Sequence, residues 1–350
     1  MEHIRQISEQ LAASNVDAML IFSTVNLHYA TGRDLFAGAV LVTADAGWYL
    51  TPAPSFDSSD DLTVLGLNGK SVPEAAGALV KKLGLSKVGV EENLLSWGLY
   101  TQLSAALPCP IVPAQDVLTR ARMKKTPDEI ALIRAVQAIT DDAFEQILPE
   151  LHAGLTEHDV AGLLAHRMLA NGGFTLAFPP IVASGPNGAD PHGFATDRVI
   201  CKGDFVTMDF GCVMNGYGSD MTRTVAIGEP TGEMREVYDV VLAAQKAGMA
   251  AAHAGVQGRE IDAAGRRVIS DAGYGEYFTH GFGHGLGIEG HENPGAGPND
   301  TTPLPAGAVV SAEPGIYIPG RFGVRIENLI ALTETGCEDL NRTERELIVL

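Results

Sequence analysis

The stretch VTMDFGCVMNGYGSDMTRTV, residues 206–225, places two largely apolar runs on either side of an Asn-Gly pair. Asn215-Gly216 in that setting predicts a β-hairpin with a two-residue type I′ turn. Such a turn pairs residues whose numbers add up to 431, so Asp220 lies opposite Gly211. Asp209 then shares a face with Asp220 as a diagonal neighbour, roughly 7–8 Å away. This inference depends on the register, because a shift of one residue would turn Asp209 to the opposite face.

A second hairpin, SAEPGIYIPGRFGVRIENLIAL, covers residues 311–332. A turn near Gly320 makes Glu313 and Glu327 cross-strand neighbours, because their numbers add up to twice 320. Buried carboxylates of like charge repel, raise each other's pKa or bind cations. A pair of divalent ions about 3.5–4 Å apart would resolve the repulsion, and a neutral imidazole could complete one coordination shell.

Each hairpin follows a pair of helical patterns, so the C-terminal part of the chain contains an internal repeat. The patterns cover about 127–149 and 157–170 in the first half, and about 233–254 and 259–272 in the second. Equivalent positions recur after 104 to 107 residues, as in Thr126 and Thr231, Asp209 and Glu313, and Asp220 and Glu327. We therefore expect two pseudo-symmetric halves that face each other, although helix lengths and hairpins could coincide by chance.

The region before residue 123 has a different pattern, with shorter alternating helices and strands. It predicts a helix near 2–14, strands at 17–22, 39–43, 48–50 and 87–92, and a helix from Val72. Thr126-Pro127-Asp128-Glu129 then opens a new helix, with Thr126 as N-cap and Glu129 completing a capping box. We expect an α/β (α+β) protein with a small α/β domain at 1–122 and a larger one at 123–350.

Composition excludes several classes of function. The 350 residues carry 24 Lys and Arg against 43 Asp and Glu, a formal charge of −19, which would repel the phosphate backbone of a nucleic acid. The 4 cysteines form no C-x-x-C pair, which is typical of a reducing compartment. Neither a signal peptide nor an apolar run of about 18 residues occurs. These features predict a soluble, cytoplasmic protein without a membrane or nucleic-acid partner.

The imidazole candidates lie in THGFGHGLGIEGHENP, residues 279–294, which contains His280, His284 and His291. The glycines here do not form a dinucleotide fingerprint, because Leu286 stands where G-x-G-x-x-G requires glycine. No H-E-x-x-H or G-x-S-x-G string occurs, which removes the commonest zinc-protease and α/β-hydrolase interpretations.

Together these residues resemble the methionine-aminopeptidase-like, or pita-bread, metallopeptidases, in the branch of Xaa-Pro dipeptidase (prolidase) and aminopeptidase P. The motifs that carry the resemblance are IVASGPNGADPHG (181–193), MDFGCVMNGYGSDMTRT (208–224), GFGHGLG (281–287), SAEPGIY (311–317) and GVRIEN (323–328). They cover about 123–350, and the smaller domain resembles the N-terminal domain of the same branch.

The resemblance implies a site for two divalent metal ions. Its metal ligands would be Asp209, Asp220, His284, Glu313 and Glu327. Asp209 and Asp220 would bind the first ion, and Asp220, His284, Glu313 and Glu327 would bind the second. Asp220 and Glu327 would bridge the two ions. Manganese is the expected metal, because the ligands are rich in oxygen, with cobalt or zinc as alternatives.

The resemblance also implies roles around the substrate. His192 and His291 would orient it and stabilise the tetrahedral intermediate, while Glu313 would transfer the proton. Phe178 would contact the proline ring, or simply be a core aromatic residue. Arg325 would hold a neighbouring carboxylate or the substrate. His280 remains open between a structural and a functional role.

The implied activity is hydrolysis of Xaa-Pro bonds in short proline-containing peptides by a homodimer, with the N-terminal domain dimerising and narrowing access to the partner's site. Dipeptidase activity is the first expectation and aminopeptidase P activity on longer peptides the alternative. Methionine aminopeptidase, a metal-free creatinase-like hydrolase and a peptide-binding module are less favoured. Two departures stand out: Gly295 occupies a position where the family often has arginine, and Asn328 one where it often has aspartate.

Overall fold

The computed structural model describes residues 2–54 and 56–350. The chain forms two compact units, Met1–Arg122 and Met123–Leu350.

The N-terminal unit contains a mixed β-sheet and helices. Its helices are α1 (Glu2–Leu11), α2 (Thr24–Thr31), α3 (Val72–Leu83), α4 (Trp97–Ala106) and α5 (Gln115–Met123). Its strands are β1 (Ala18–Ile21), β2 (Ala39–Thr43), β3 (Gly47–Thr51), β4 (Leu62–Gly66), β5 (Val88–Val90) and β6 (Ile111–Pro113). The strand order is β4-β3-β2-β1-β5-β6, with antiparallel pairing of β1 with β2 and of β2 with β3. β1 is buried along its whole length, as its continuous apolar run requires.

The predicted elements of this unit are present, but α2, β4, α4, β6 and α5 were not predicted. The helix α2 illustrates why. Its buried residues include the polar Asn26 and Thr31 beside the apolar Leu27, so its sequence lacks a clear apolar stripe.

The C-terminal unit has two helices in each half, and both halves continue into antiparallel strands. The helices are α6 (Pro127–Ile147), α7 (Glu157–Ala170), α8 (Gly232–Ala251) and α9 (Gly258–Asp271). The strands of the first half are β7 (Thr175–Leu176), β8 (Ile181–Ser184), β9 (Phe205–Phe210), β10 (Cys212–Met214), β11 (Tyr217–Gly218) and β12 (Met221–Ala226). Those of the second are β13 (Gly283–Gly285), β14 (Glu292–Ala296), β15 (Val309–Ala312), β16 (Gly315–Ile318), β17 (Phe322–Arg325), β18 (Asn328–Leu332) and β19 (Cys337–Asp339).

The first helix of each half begins at a threonine cap, of which the one at Thr126 was predicted. The Thr126 hydroxyl accepts from the backbone N–H of Glu129 at 3.2 Å, and the Glu129 carboxylate accepts from the N–H of Thr126 at 2.8 Å. Thr231 caps α8 in the same way, accepting from the N–H of Met234. Both caps satisfy backbone donors that the first turn of a helix leaves unpaired.

Both hairpins have the predicted registers. In the first, Asn215 and Gly216 have φ values of 52° and 82°, as a type I′ turn requires, and Asp209 pairs with Thr222. In the second, Gly315 pairs with Arg325, and Ala312 pairs with Asn328 in the adjoining sheet. The turn chemistry therefore fixes the position of all four acids.

The segment that carries His284 is held by close packing of α8 against α9. The ring of Phe282 is buried between Gly248 and Gly265, where an added Cβ would lie 2.1 Å and 2.5 Å from the ring. Neither position could hold a larger residue without separating the helices.

No helix within residues 2–54 and 56–350 combines the length and apolarity needed to cross a membrane. The architecture agrees with the expected fold class, in which a small α/β domain is followed by a domain of two similar halves, each with a helix pair and antiparallel strands.

Candidate active site

A cavity of about 400 Å³ opens in the C-terminal unit, and all of the predicted site residues line it. These are Phe178, His192, Asp209, Asp220, His284, His291, Glu313, Arg325 and Glu327, and His280 lines the cavity with them. The first hairpin supplies Asp209 and Asp220, and the second supplies Glu313, Arg325 and Glu327. Residues more than 100 positions apart in sequence therefore meet in one site.

Asp220 and Glu327 are the least exposed of the acids that line the cavity, at only 4% and 1%. Burial raises the pKa of Asp220 well above its usual value, and repulsion from Glu327 raises it further. Burial and repulsion from Glu313 likewise raise the pKa of Glu327. A bound cation would relieve this repulsion.

His284 lies beside these acids. Its Nε2 is 3.2 Å from Glu313 Oε1 and 3.7 Å from Asp220 Oδ2, while Nδ1 lies 3.2 Å from the carbonyl oxygen of Gly285. Burial is the largest single effect and opposes the charged imidazole, but the hydrogen bond and charge of Glu313, the charge of Glu327 and the Gly285 carbonyl together outweigh it and raise the pKa of His284 to about 9. Despite burial, the same contact lowers the pKa of Glu313 to about 2. Metal binding would displace the proton of His284, because only a neutral imidazole nitrogen is a ligand.

Asp209 is held by Arg325, whose Nη2 donates to Asp209 Oδ2 at 2.7 Å. Arg325 is 3% exposed and also donates to Thr222 Oγ1, the carbonyl oxygen of Pro191 and the hydroxyl of Tyr317. Burial nevertheless raises the pKa of Asp209, because it outweighs the attraction of Arg325. The guanidinium is thus committed to the site's own side chains and backbone.

The donor set fits divalent cations. Asp209 Oδ1, Asp220 Oδ1 and Glu327 Oε1 are buried oxygens for which the described residues provide no hydrogen-bond partner. Ligand atoms of Asp220, His284 and Glu327 all lie within 4.8 Å of one another. A buried oxygen without a hydrogen-bond partner costs free energy, which a bound cation would offset. Carboxylates with imidazole are ligands that Mn²⁺, Co²⁺ and Zn²⁺ accept.

The other two predicted histidines, His192 and His291, also line the cavity. The ring of His291 stacks on that of His284 with centroids 3.6 Å apart. Burial and the neighbouring His284 lower the pKa of His291. His192 is exposed on a loop at the cavity, where its backbone N–H donates to Asp190 Oδ1 at 2.9 Å.

Three hydroxyl residues that contact the predicted side chains were not predicted, namely Thr222, Ser311 and Tyr317, and neither were the apolar lining residues Pro179, Ile181 and Phe194. The Thr222 hydroxyl donates to Glu327 at 2.8 Å, and that of Ser311 donates to Glu313 at 2.9 Å. The Tyr317 hydroxyl lies 2.8 Å from His280 Nε2 and accepts from Arg325. Burial raises its pKa to about 12, so it remains a neutral hydroxyl.

A signal for these residues exists in the strand alternation. Ser311, Glu313 and Tyr317 occupy odd-numbered positions of the second hairpin, and side chains two residues apart share a face of a strand. The alternation could therefore have predicted that these hydroxyl groups lie on the same face as the acids. The contact of Tyr317 with His280 depends on a separate segment of the chain, for which the hairpin gives no signal.

One wall of the cavity is apolar and includes Phe178, Pro179, Ile181 and Phe194. Phe178 is half-buried, so part of its ring is available to a ligand. The cavity is therefore lined by both charged and apolar side chains, an arrangement suited to a peptide with an apolar ring next to the reacting bond.

Comparisons with known proteins agree with this arrangement. The profile of metallopeptidase family M24 matches residues 131–334, and that of the creatinase/prolidase N-terminal domain matches 3–124. The Xaa-Pro dipeptidase of Pyrococcus horikoshii is 35% identical over 99% of this chain and 99% of its own.

Solved structures are similar over the whole chain. That of a Bacillus anthracis Xaa-Pro dipeptidase superposes with a TM-score of 0.92 at 36% identity, covering 100% of this chain and 99% of that one. That of a Thermotoga maritima X-Pro aminopeptidase has a TM-score of 0.88 at 33% identity, covering 98% and 100%. The resemblance found in the motifs is thereby confirmed, and this chain belongs to metallopeptidase family M24.

Proposed function

We propose that the protein is an Xaa-Pro dipeptidase that uses two divalent metal ions, with manganese as the first choice. The observation that carries this proposal is the cluster of buried carboxylates with unpaired oxygens beside His284. The full-length similarity to proteins named Xaa-Pro dipeptidase supports the substrate class.

Asp209, Asp220, His284, Glu313 and Glu327 would hold the ions. When bound, divalent ions supply a water nucleophile of lowered pKa and polarise the scissile carbonyl. The excess of carboxylate over imidazole ligands favours manganese, with cobalt or zinc as alternatives.

The remaining chemistry belongs to side chains around the cavity. Glu313 is ionised at neutral pH, accepts the proton of the attacking water and passes it to the nitrogen of the leaving proline. A hydrogen bond from the Ser311 hydroxyl orients its carboxylate. His192 and His291 donate hydrogen bonds to oxygen as negative charge develops, and Phe178 packs against the proline ring.

Replacement of His192 or His291 by alanine should lower kcat and leave the metal content unchanged. A hydrogen bond to a charged group is worth ~1.5–3 kcal/mol, or roughly 10- to 100-fold in rate. Elemental analysis and steady-state kinetics on the same preparations measure both quantities. His166→Ala, at an exposed position of α7, is the control. Unchanged turnover in both variants would show that these histidines have no role in the reaction.

Substrate length should distinguish a dipeptidase from the alternative, an Xaa-Pro aminopeptidase. A dipeptidase recognises the free carboxylate of proline or blocks longer peptides, and Gly295 offers no cation for this purpose. Among the described residues that line the cavity, Arg325 is the sole Arg or Lys, and it is already bonded to Asp209 and Tyr317. Recognition would then fall to the histidines or to a residue of the N-terminal unit such as Arg33.

We expect kcat/KM for Met-Pro to exceed that for Met-Pro-Ala by roughly tenfold or more, the value of one charged hydrogen bond. Both peptides are compared at identical metal and salt concentrations, with Met-Ala as the control that lacks proline. Efficient release of methionine from the tripeptide would instead favour an Xaa-Pro aminopeptidase.

We further propose that residues 1–122 and 123–350 are the two domains, and that the protein is a cytoplasmic homodimer. In this proposal the N-terminal domain dimerises and narrows access to the partner's site. The resemblance to the prolidase branch supports these points, and sedimentation equilibrium tests the dimer.

A further inference from the structure

The loop that brings His192 to the cavity starts where β8 ends at Ser184 and returns at Thr196. Its own hydrogen bonds are local: the N–H of His192 donates to Asp190 Oδ1 at 2.9 Å and that of Gly193 to the carbonyl of Asp190 at 3.1 Å. These bonds shape the turn, and one further bond links it to another segment, because Arg325 Nη1 donates to the carbonyl oxygen of Pro191 at 3.1 Å. The position of His192 therefore depends on this contact and on what holds the two ends of the loop.

One buried carboxylate, that of Glu157, holds both ends. Its Oε1 accepts from the backbone N–H and the hydroxyl of Ser184, both at 2.7 Å. Its Oε2 accepts from the N–H of Thr196 at 3.0 Å and from the Thr196 hydroxyl at 2.6 Å. The side-chain amide of Asn187 lies 3.1 Å from each oxygen. Each end of the loop is thus bonded to a different oxygen of the same group.

The platform for this carboxylate is rigid. Glu157 is 0% exposed and is the first residue of α7, whose start is fixed by a capping box between Thr156 and Asp159. Val160 and Leu164 anchor the same helix in the core. In the described chain the hydrogen-bond donors to Glu157 are backbone, hydroxyl and amide groups rather than Lys or Arg, so the group acts as a fixed hydrogen-bond acceptor.

We propose that Glu157 is a positioning residue for His192: by joining Ser184 to Thr196, it sets where the loop presents the imidazole to the substrate. This inference rests on the role of His192 under the proposed function. Glutamine at this position keeps one acceptor oxygen but turns an NH₂ group toward donors that face the other side. Glu157→Gln should therefore release one end of the loop.

The expected result for Glu157→Gln is a kcat lowered by roughly 10- to 100-fold, as for a small misplacement of a group that contacts the substrate. KM and the metal content should change little. In the metal-free protein, hydrogen–deuterium exchange of residues 185–196 should accelerate, a readout that does not require activity.

Glu91→Gln is the matched control. Glu91 is 1% exposed and accepts from the N–H groups of Phe22 and Ser23, the Ser23 hydroxyl and the amide of Asn26, a nearly identical set of donors in the N-terminal unit. This variant should leave kcat and the exchange of 185–196 unchanged. A loss in both variants would indicate general destabilisation and overturn the proposal.

A double-mutant cycle with His192→Ala identifies the route of the effect. If Glu157 acts through His192, Glu157→Gln should lower kcat little further once the imidazole is absent. Additive losses would overturn the proposal, as would normal turnover in Glu157→Gln when His192→Ala is impaired. Normal turnover in His192→Ala would instead defeat the role of His192 itself, and the proposal with it.

Thr196→Val provides a milder variant should Glu157→Gln fail to fold. It removes the hydroxyl donor at one end of the loop and keeps the side-chain shape. We expect a smaller fall in kcat in the same direction, which again disappears in the His192→Ala background. An equal fall in both backgrounds would contradict the positioning role.

Discussion

Asp220→Asn and Glu327→Gln should each abolish tight metal binding and lower peptide hydrolysis by roughly 10³-fold or more. Metal ions contribute several kcal/mol to such reactions, and ~4 kcal/mol corresponds to a factor of about 10³. Both residues are buried at the centre of the site, and the amides that replace them are weaker ligands.

The same variants should remain folded, and their metal-free forms should be at least as stable as the metal-free parent. In that state Asp220 and Glu327 repel each other and the neighbouring acids, as their raised pKa values indicate. An amide of the same shape removes one of the repelling charges. The variants should thus lose hydrolytic activity, while the stability of their metal-free forms should not fall.

Metal titration, peptide kinetics and urea unfolding of chelator-treated protein measure these effects. Glu338→Gln is the control, since Glu338 forms an exposed ion pair with Arg134, and such pairs contribute at most about 1 kcal/mol. Full activity in a variant shown to be metal-free would defeat the proposed mechanism. A large loss of stability in the metal-free variants would contradict the repulsion between the acids.

The sequence determines the hairpins and their acids because their geometry is local. Asn215-Gly216 permits the positive φ values of one turn type, and that turn fixes which residues pair. The capping box at Thr126 likewise involves residues three positions apart. The positions of Asp209, Asp220, Glu313 and Glu327 within their hairpins follow from such short-range rules.

Contacts between distant segments could not be predicted in the same way. Glu157 meets the loop 184–196 because α7 packs beside β8, and no periodicity in either segment encodes that meeting. The environment of Arg325 is similar. Its sequence neighbours suggested a partner among the acids, but the contacts with Thr222 and the carbonyl of Pro191 come from two other segments of the chain.

Arg325→Met should lower the free energy of unfolding of the metal-free protein by about 3–5 kcal/mol, because removing one partner of a buried ion pair leaves the other without compensation. Asp209 would lose its 2.7 Å contact with the guanidinium, and the hydroxyls of Thr222 and Tyr317 would lose a donor. Metal affinity and kcat should fall as well, since the ligand Asp209 loses its orientation. Removing a residue that orients a metal ligand lowers metal affinity or activity by roughly 10- to 100-fold.

Arg321→Met is the matched control on the same hairpin. Arg321 pairs with Glu233 at the surface, with side chains 53% and 39% exposed, so its loss should change stability by less than about 1 kcal/mol.

Arg325→Lys separates the effect of the charge from the effect of the side-chain shape. A lysine can neutralise Asp209 but cannot reach Thr222 and Tyr317 at the same time, so it should recover stability more than kcat. If Arg325→Met behaved like Arg321→Met, the guanidinium would not be what orients Asp209, and its burial among the acids would need another cause.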